Sequence, residues 1–68
     1  MSDILDKIGK NVLTYRQTKA ITQEELSSLC GLHRNYIASV EKGKRNISLK
    51  TLEKIAKGLN VSVIKLLE

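Results

Sequence analysis

Apolar residues along this chain recur at spacings of three and four, the period of an amphipathic helix, and nowhere alternate long enough for a strand. Leu5, Ile8, Val12 and Tyr15 form one inward stripe over Ile4 to about Thr18, widened by Ile4 and Leu13. Gly9 interrupts that helix at a cost of about 1 kcal/mol relative to Ala, so it either admits a close neighbour or is simply tolerated. Met1 to Asp3 is expected to fray. Lys19 to Ile21 connects to a second helix, with Ile21 as the apolar residue before the cap. Thr22 caps that helix, and Glu25 three residues on completes a capping box. Leu26 and Leu29 supply its apolar stripe, Gly31 stops it, and Leu32 is the apolar residue of the turn. A third helix, roughly His33 to Lys42, faces inward with Ile37 and Val40. Gly43 is its expected stop. Ser48 caps a fourth helix over Leu49 to about Gly58, with Leu52, Ile55, Ala56 and Leu59 inward. Asn60 and Val61 turn the chain, and Ser62 caps a last short helix from Val63 to Leu67. The pattern predicts an all-α, compact five-helix domain spanning residues 1–68 as a single unit, with every connection short.

Size and charge narrow what such a domain does. A chain of 68 residues buries only about 60% of its unfolded surface, and one cysteine allows no disulfide framework, so a homodimer would add useful apolar burial. The net charge is +5 and the pI about 9.6, which points to a polyanion: nucleic acid or an anionic membrane. No run approaches the ~20 apolar residues of a spanning helix, and MSDILDK carries acids where a signal peptide has bases. Membrane is therefore the weaker choice, and the single Cys fits a reducing cytosol. With no Phe or Trp, only Tyr15 and Tyr36 could stack on bases, which argues against a single-strand binder.

The third helix carries the candidate chemistry. Its outer side and N-terminal end hold Arg34, Asn35, Tyr36, Ala38 and Ser39. Arg34 can donate twice to guanine O6 and N7, and Asn35 can pair with adenine or bond a phosphate. Tyr36 offers a hydroxyl to a phosphate or a ring to a thymine methyl, and Ser39 is small and polar one turn on. The bland alternative is a solvated polar face, but the glycine turn and two inward aliphatics sit at the offsets of a groove-reading helix pair. Thr22 and Gln23 begin the second helix, where free N–H groups and the dipole favour an anion. Lys42, Lys44, Arg45 and Asn46 bring three cations and no acid to the next loop, as an ordinary solvated turn or as neutralisers of flanking phosphates; Lys50 is a weaker candidate on the same side. Cys30 and His33 are two ligands where zinc needs four, or three plus water, so no metal is expected. No nucleophile–base set, carboxylate pair or phosphate-cradling loop is present, which argues against an enzyme and against a cofactor.

The stretch TQEELSSLCGLHRNYIASVE resembles the helix-turn-helix of phage-repressor-like, xenobiotic-response-element bacterial regulators. Thr22, Gln23, Glu24, Glu25 and Leu26, then Gly31, Ile37, Val40 and Glu41 carry the likeness, which runs from roughly Leu13 to Leu67. Ser27 departs from the family's usual Ala, and Ile47 from a common Pro. The run HRNYIASVEKGKRNISL looks closer to one branch, the controller proteins of restriction-modification systems. The resemblance implies a lambda-repressor-like DNA-binding fold. It implies that Glu41 pairs with Arg16 to orient helices, that Gln23 touches the DNA backbone, and that Arg45 contacts DNA. It also implies a two-fold dimer contact through the last helices, with Ile47 and Leu49 joining. Within the last helix, Val63 and Leu66 share one face, assigned to the core; Ile64 and Leu67 share another, assigned to the interface. The implied activity is cytoplasmic and bacterial: a homodimer on a roughly palindromic double-stranded operator, its recognition helices about 34 Å apart, regulating a restriction-modification operon that includes its own gene. RNA polymerase is a further partner such a regulator would meet. The alternatives are a phage repressor or antitoxin-type regulator of the same family and, from another class, a helical protein-interaction module without DNA binding.

Overall fold

A computed structural model describes residues 3–68 of the chain. Five helices follow in order: α1 (Asp3–Thr18), α2 (Gln23–Cys30), α3 (Arg34–Glu41), α4 (Leu49–Leu59) and α5 (Val63–Leu67), with no strand among the described residues. The fraying expected at Met1 and Ser2 lies outside the described residues. Asp3, expected to fray with them, instead opens α1. Asp3 and Asp6 in the first turn suit the positive end of the helix dipole.

The core takes residues from every helix: Ile8 and Val12, Leu26 and Cys30, Ile37 and Val40, Leu52, Ile55, Ala56 and Leu59, and Leu66. Tyr15, Ile21, Leu32 and Val63 pack half-buried around it. Two expected stripes are narrower than the pattern suggested. Ile4 remains 53% exposed, and Leu29 is 61% exposed. On α2 the buried positions are Leu26, Ser27 and Cys30. At about 100° per residue, Leu29 lies about 110° round the helix from the centre of that arc. The small Ser27 takes the covered position, and its hydroxyl donates to the Glu24 carbonyl at 2.7 Å.

Local chemistry sets the helix ends. The Thr22 hydroxyl accepts the Glu25 N–H at 3.0 Å, and the Glu25 carboxylate accepts the Thr22 N–H at 2.8 Å, closing the capping box. Gly31 ends α2 in the left-handed region at φ 71°. A Cβ there would meet nothing within 4 Å, so it is the backbone conformation, not crowding, that favours glycine. His33, expected inside α3, is its cap: Nδ1 accepts the Asn35 N–H at 3.1 Å. Ser48 caps α4, accepting the Thr51 N–H at 3.1 Å. Ser62 stands at the cap position of α5, but its side chain makes no capping bond.

Two contacts fix how the helices sit. At Gly9, a Cβ would press on the carbonyl oxygens of Val40 and Glu41, the latter at 2.8 Å, so the glycine lets α1 lie against the end of α3. At the other end of the chain, the Asn11 side-chain amide donates to the Leu66 carbonyl at 2.9 Å, tying α5 to α1.

Candidate nucleic-acid interface

Residues of α3 divide cleanly. Ile37 is fully buried and Val40 2% exposed, so the helix is held by that side. Arg34 and Asn35 are exposed, while Ala38 and Ser39 are half-buried. The Ser39 hydroxyl donates to the Asn35 carbonyl at 3.1 Å, bonding back along its own helix and leaving its lone pairs to accept. Tyr36 is half-buried and packs against the core by its ring. The Arg45 guanidinium carbon stands 4.7 Å from the ring centroid, within cation–π range. Two residues singled out separately in the sequence, one on the helix and one on the loop, therefore form one unit.

The loop follows from how α3 stops. Lys42 was expected inside the helix but is its C-cap. The Gly43 N–H bonds the Val40 carbonyl and the Lys44 N–H bonds the Ser39 carbonyl, each at 3.0 Å, the reverse turn of a Schellman-type ending. Gly43 adopts φ 70°, and a Cβ on it would fall on the Asp6 side chain, so this turn lies tight against α1. Lys42, Lys44, Arg45 and Asn46 emerge exposed beside the α3 face, and Lys50 is exposed in the first turn of α4.

Behind the face lies a polar knot. Arg16 Nε donates to Glu41 Oε2 at 2.7 Å and Nη2 to Oε1 at 3.2 Å, a two-pronged ion pair. The third nitrogen, Nη1, donates to the Ile21 carbonyl at 2.9 Å. The side chains are 13% and 5% exposed, so the pair is close to the buried regime. There, removing one partner costs about 3–5 kcal/mol. Gln23 adds a bond that the sequence did not signal: its Nε2 donates to Glu41 Oε1 at 2.8 Å. Gln23, expected as a free contact for the DNA backbone, thus has one of its amide hydrogens engaged within the protein. Thr22 uses one hydroxyl lone pair on the cap and keeps its O–H to donate. One acid, Glu41, gathers the end of α1, the start of α2 and the end of α3.

The four residues expected at a dimer contact separate into two pairs. Leu49 is 75% exposed and Ile64 65% exposed. Ile47 and Leu67 are half-buried against the core of their own chain. Leu67, expected on the interface face with Ile64, also packs on the core of its own chain. The short α5 packs on both α1 and α4, so its core side takes in Val63, Leu66 and part of Leu67. Cys30 is buried, and desolvation pushes its thiol up from the ordinary value. His33 is occupied as a cap, and no cluster of His, Cys, Asp or Glu able to hold a metal occurs among the described residues.

A helix held by Ile37 and Val40, showing Arg and Asn outward and flanked by a cationic loop, fits a major groove. Comparison with known proteins agrees. The helix-turn-helix family profile matches residues 12–66, and the chain belongs to that family. Within it the chain falls among the restriction-modification control proteins. It is 49% identical over 65 residues to control protein C.SmaI of Serratia marcescens, covering 96% of this chain and 77% of that protein. The controller protein C.AhdI from Aeromonas hydrophila superposes with a TM-score of 0.88 at 39% identity, covering 91% of this chain and 94% of that one. C.Esp1396I, solved as a tetramer in complex with its natural 35 base-pair operator, gives a TM-score of 0.88 at 36% identity over the full length of both chains.

Proposed function

We propose that this chain, as one DNA-binding domain over residues 1–68, is the controller of a restriction-modification system. It binds a roughly palindromic double-stranded operator as a homodimer and regulates the operon that contains its own gene. The observation that carries this is the exposed polar side of α3 set beside the three-cation loop on a helix-turn-helix scaffold. Arg34 and Asn35 read base edges, and Tyr36 and Ser39 complete the contact surface within the groove. Lys42, Lys44, Arg45 and Asn46 meet phosphates flanking the groove, as do Thr22 and the free amide hydrogen of Gln23 at the start of α2. Arg16 and Glu41 hold the helices in register and leave the DNA to others. Leu49 and Ile64 meet their counterparts across the two-fold axis, with Ile47 and Leu67 at its margin. Activation or repression follows from where the operator lies relative to the promoter and to bound RNA polymerase. The protein acts in the cytoplasm, needs no metal or cofactor, and is no enzyme. No helix is long and apolar enough to cross a membrane among the described residues. A helical protein-interaction module would give no reason for the loop cations to sit beside the polar α3 face.

Fluorescence anisotropy on random duplex and on the DNA upstream of the chain's own gene tests the reading. Affinity should fall steeply with salt on both, with a sequence-specific excess on the upstream DNA and a symmetric footprint there. Salt-independent binding, or none, would reject it.

A further inference from the structure

We infer that Glu41 is a positioning residue for the Gln23 amide, fixing which end of that amide the protein presents to DNA. An amide group has a donor end and an acceptor end, and a glutamine on a surface is free to turn either outward. Here it is not. An ionised carboxylate only accepts hydrogen bonds, so the 2.8 Å contact between Gln23 and Glu41 Oε1 requires the Gln23 nitrogen. Glu41 itself cannot turn away. Arg16 holds both of its oxygens, at 2.7 and 3.2 Å, and the Glu41 side chain is 5% exposed. Arg16 is in turn tied to the Ile21 carbonyl, one residue before the α2 cap. The Gln23 nitrogen is thereby pinned on the protein side with one hydrogen still to give, and its orientation is set before DNA arrives.

The sign of the consequence is unexpected. Glu41 is an acid close to a polyanion, and simple electrostatics says that neutralising it should tighten binding. Its charge is already met by Arg16 and Gln23, whereas an amide in its place can donate as well as accept, so the Gln23 amide is no longer held in one orientation. Neutralising Glu41 therefore weakens binding. The effect passes through Gln23.

This rests on the DNA-binding reading above, and the test separates the two. Four proteins are compared: the full chain, Gln23→Ala, Glu41→Gln and the double variant, each checked for helix content by circular dichroism. Gln23→Ala should weaken operator and random-duplex binding alike, about tenfold to a hundredfold per half-site, the worth of one hydrogen bond to a charged group. Its salt slope should stay unchanged, because no cation is lost. Glu41→Gln should weaken binding by a similar factor in the full chain but add almost nothing once Gln23 is Ala. In the 15N-labelled free protein, the two Gln23 side-chain amide protons should be well dispersed and slow to exchange, and should become less dispersed and faster to exchange in Glu41→Gln. Tighter binding by Glu41→Gln overturns the inference. So does an equal loss with and without Gln23, which would assign Glu41 to helix packing alone. A wild-type chain that ignores duplex DNA removes the DNA reading and this inference with it; pinned Gln23 protons in that chain would place the fault in the DNA reading and not in the geometry.

Discussion

Replacing Gly9 by Ala sets two effects of known size against each other. In an exposed helix interior the change is favourable by about 1 kcal/mol, because Ala is the better helix former. At this site the new methyl carbon would meet the carbonyl oxygens of Val40 and Glu41, the Glu41 oxygen at 2.8 Å and its carbonyl carbon at 3.0 Å. These are main-chain atoms in the last turn of α3, and no side-chain rotation relieves them. The helices must part by some tenths of an ångström, and such overpacking costs about 1–3 kcal/mol, here toward the upper end. Packing wins, leaving a net loss of about 1–2 kcal/mol. For a domain of this size that is a fall in Tm of about 4–16 °C. Thermal melts followed by circular dichroism would read it, all at one protein concentration so that any dimer contributes equally. Gly58→Ala is the control. Its Cβ would meet Cys30 Sγ at 2.6 Å and Leu26 Cδ1 at 3.4 Å, both side-chain atoms that can yield, so its loss should be smaller. A higher Tm for Gly9→Ala would mean that helix propensity dominates and that Gly9 does not set the spacing of α1 and α3.

Arg34→Ala should reduce the preference for operator over random duplex by about 1–3 kcal/mol, as expected of a bidentate guanine contact; equal loss on both DNAs would move Arg34 to the phosphate class. Lys44→Ala should weaken binding to all sequences similarly and lower the salt slope by about one unit, and an unchanged slope would leave it an ordinary surface residue. In a double-mutant cycle for DNA binding, Tyr36→Leu and Arg45→Ala should couple by about 0.5–1 kcal/mol, with Tyr36→Phe retaining the coupling; additive effects would show that the stacked pair does not act as a unit. Ile64→Glu should give a folded, helical monomer with much weaker operator binding, because a two-fold contact sets each new charge against its copy. Sedimentation showing an intact dimer would put the interface elsewhere.

The helices were legible because their signals are local. A hydroxyl at Thr22 or Ser48, a glycine at Gly31 and an aliphatic every third or fourth residue act within one or two turns. The outward residues of α3 were readable for the same reason, being what remains once Ile37 and Val40 are turned inward. Leu29 misled because period alone marks where apolar residues lie on a helix, while the neighbouring helices decide which arc they cover. Ser27, small and polar, gave no apolar signal for the position they chose. Leu67 is half-buried for a similar reason, since a five-residue helix touching both α1 and α4 is covered around more of its girth than one stripe. The bonds from Gln23 to Glu41, Arg45 to Tyr36 and Asn11 to Leu66 span 18, 9 and 55 positions. No spacing rule reaches that far. Arg16 and Glu41 are 25 apart, and only the family resemblance brought them together beforehand.

The hydrogen bond from Asn11 to the Leu66 carbonyl also sets an order in time. On a ribosome adding about 5–20 residues per second, Leu66 is made about 3–11 s after Asn11. Over the last 25 of those 55 residues the segment from Thr22 to Glu41 already exists, but α5, which covers the core with Leu66, is not yet complete. A nascent chain thus carries Arg34 and Asn35, proposed here to read base edges, before Leu66 joins the core. Premature termination before α5 would release a product with an open core and without Ile64, the residue proposed for the two-fold contact. Such a fragment would compete poorly for the same DNA with a chain that carries α5.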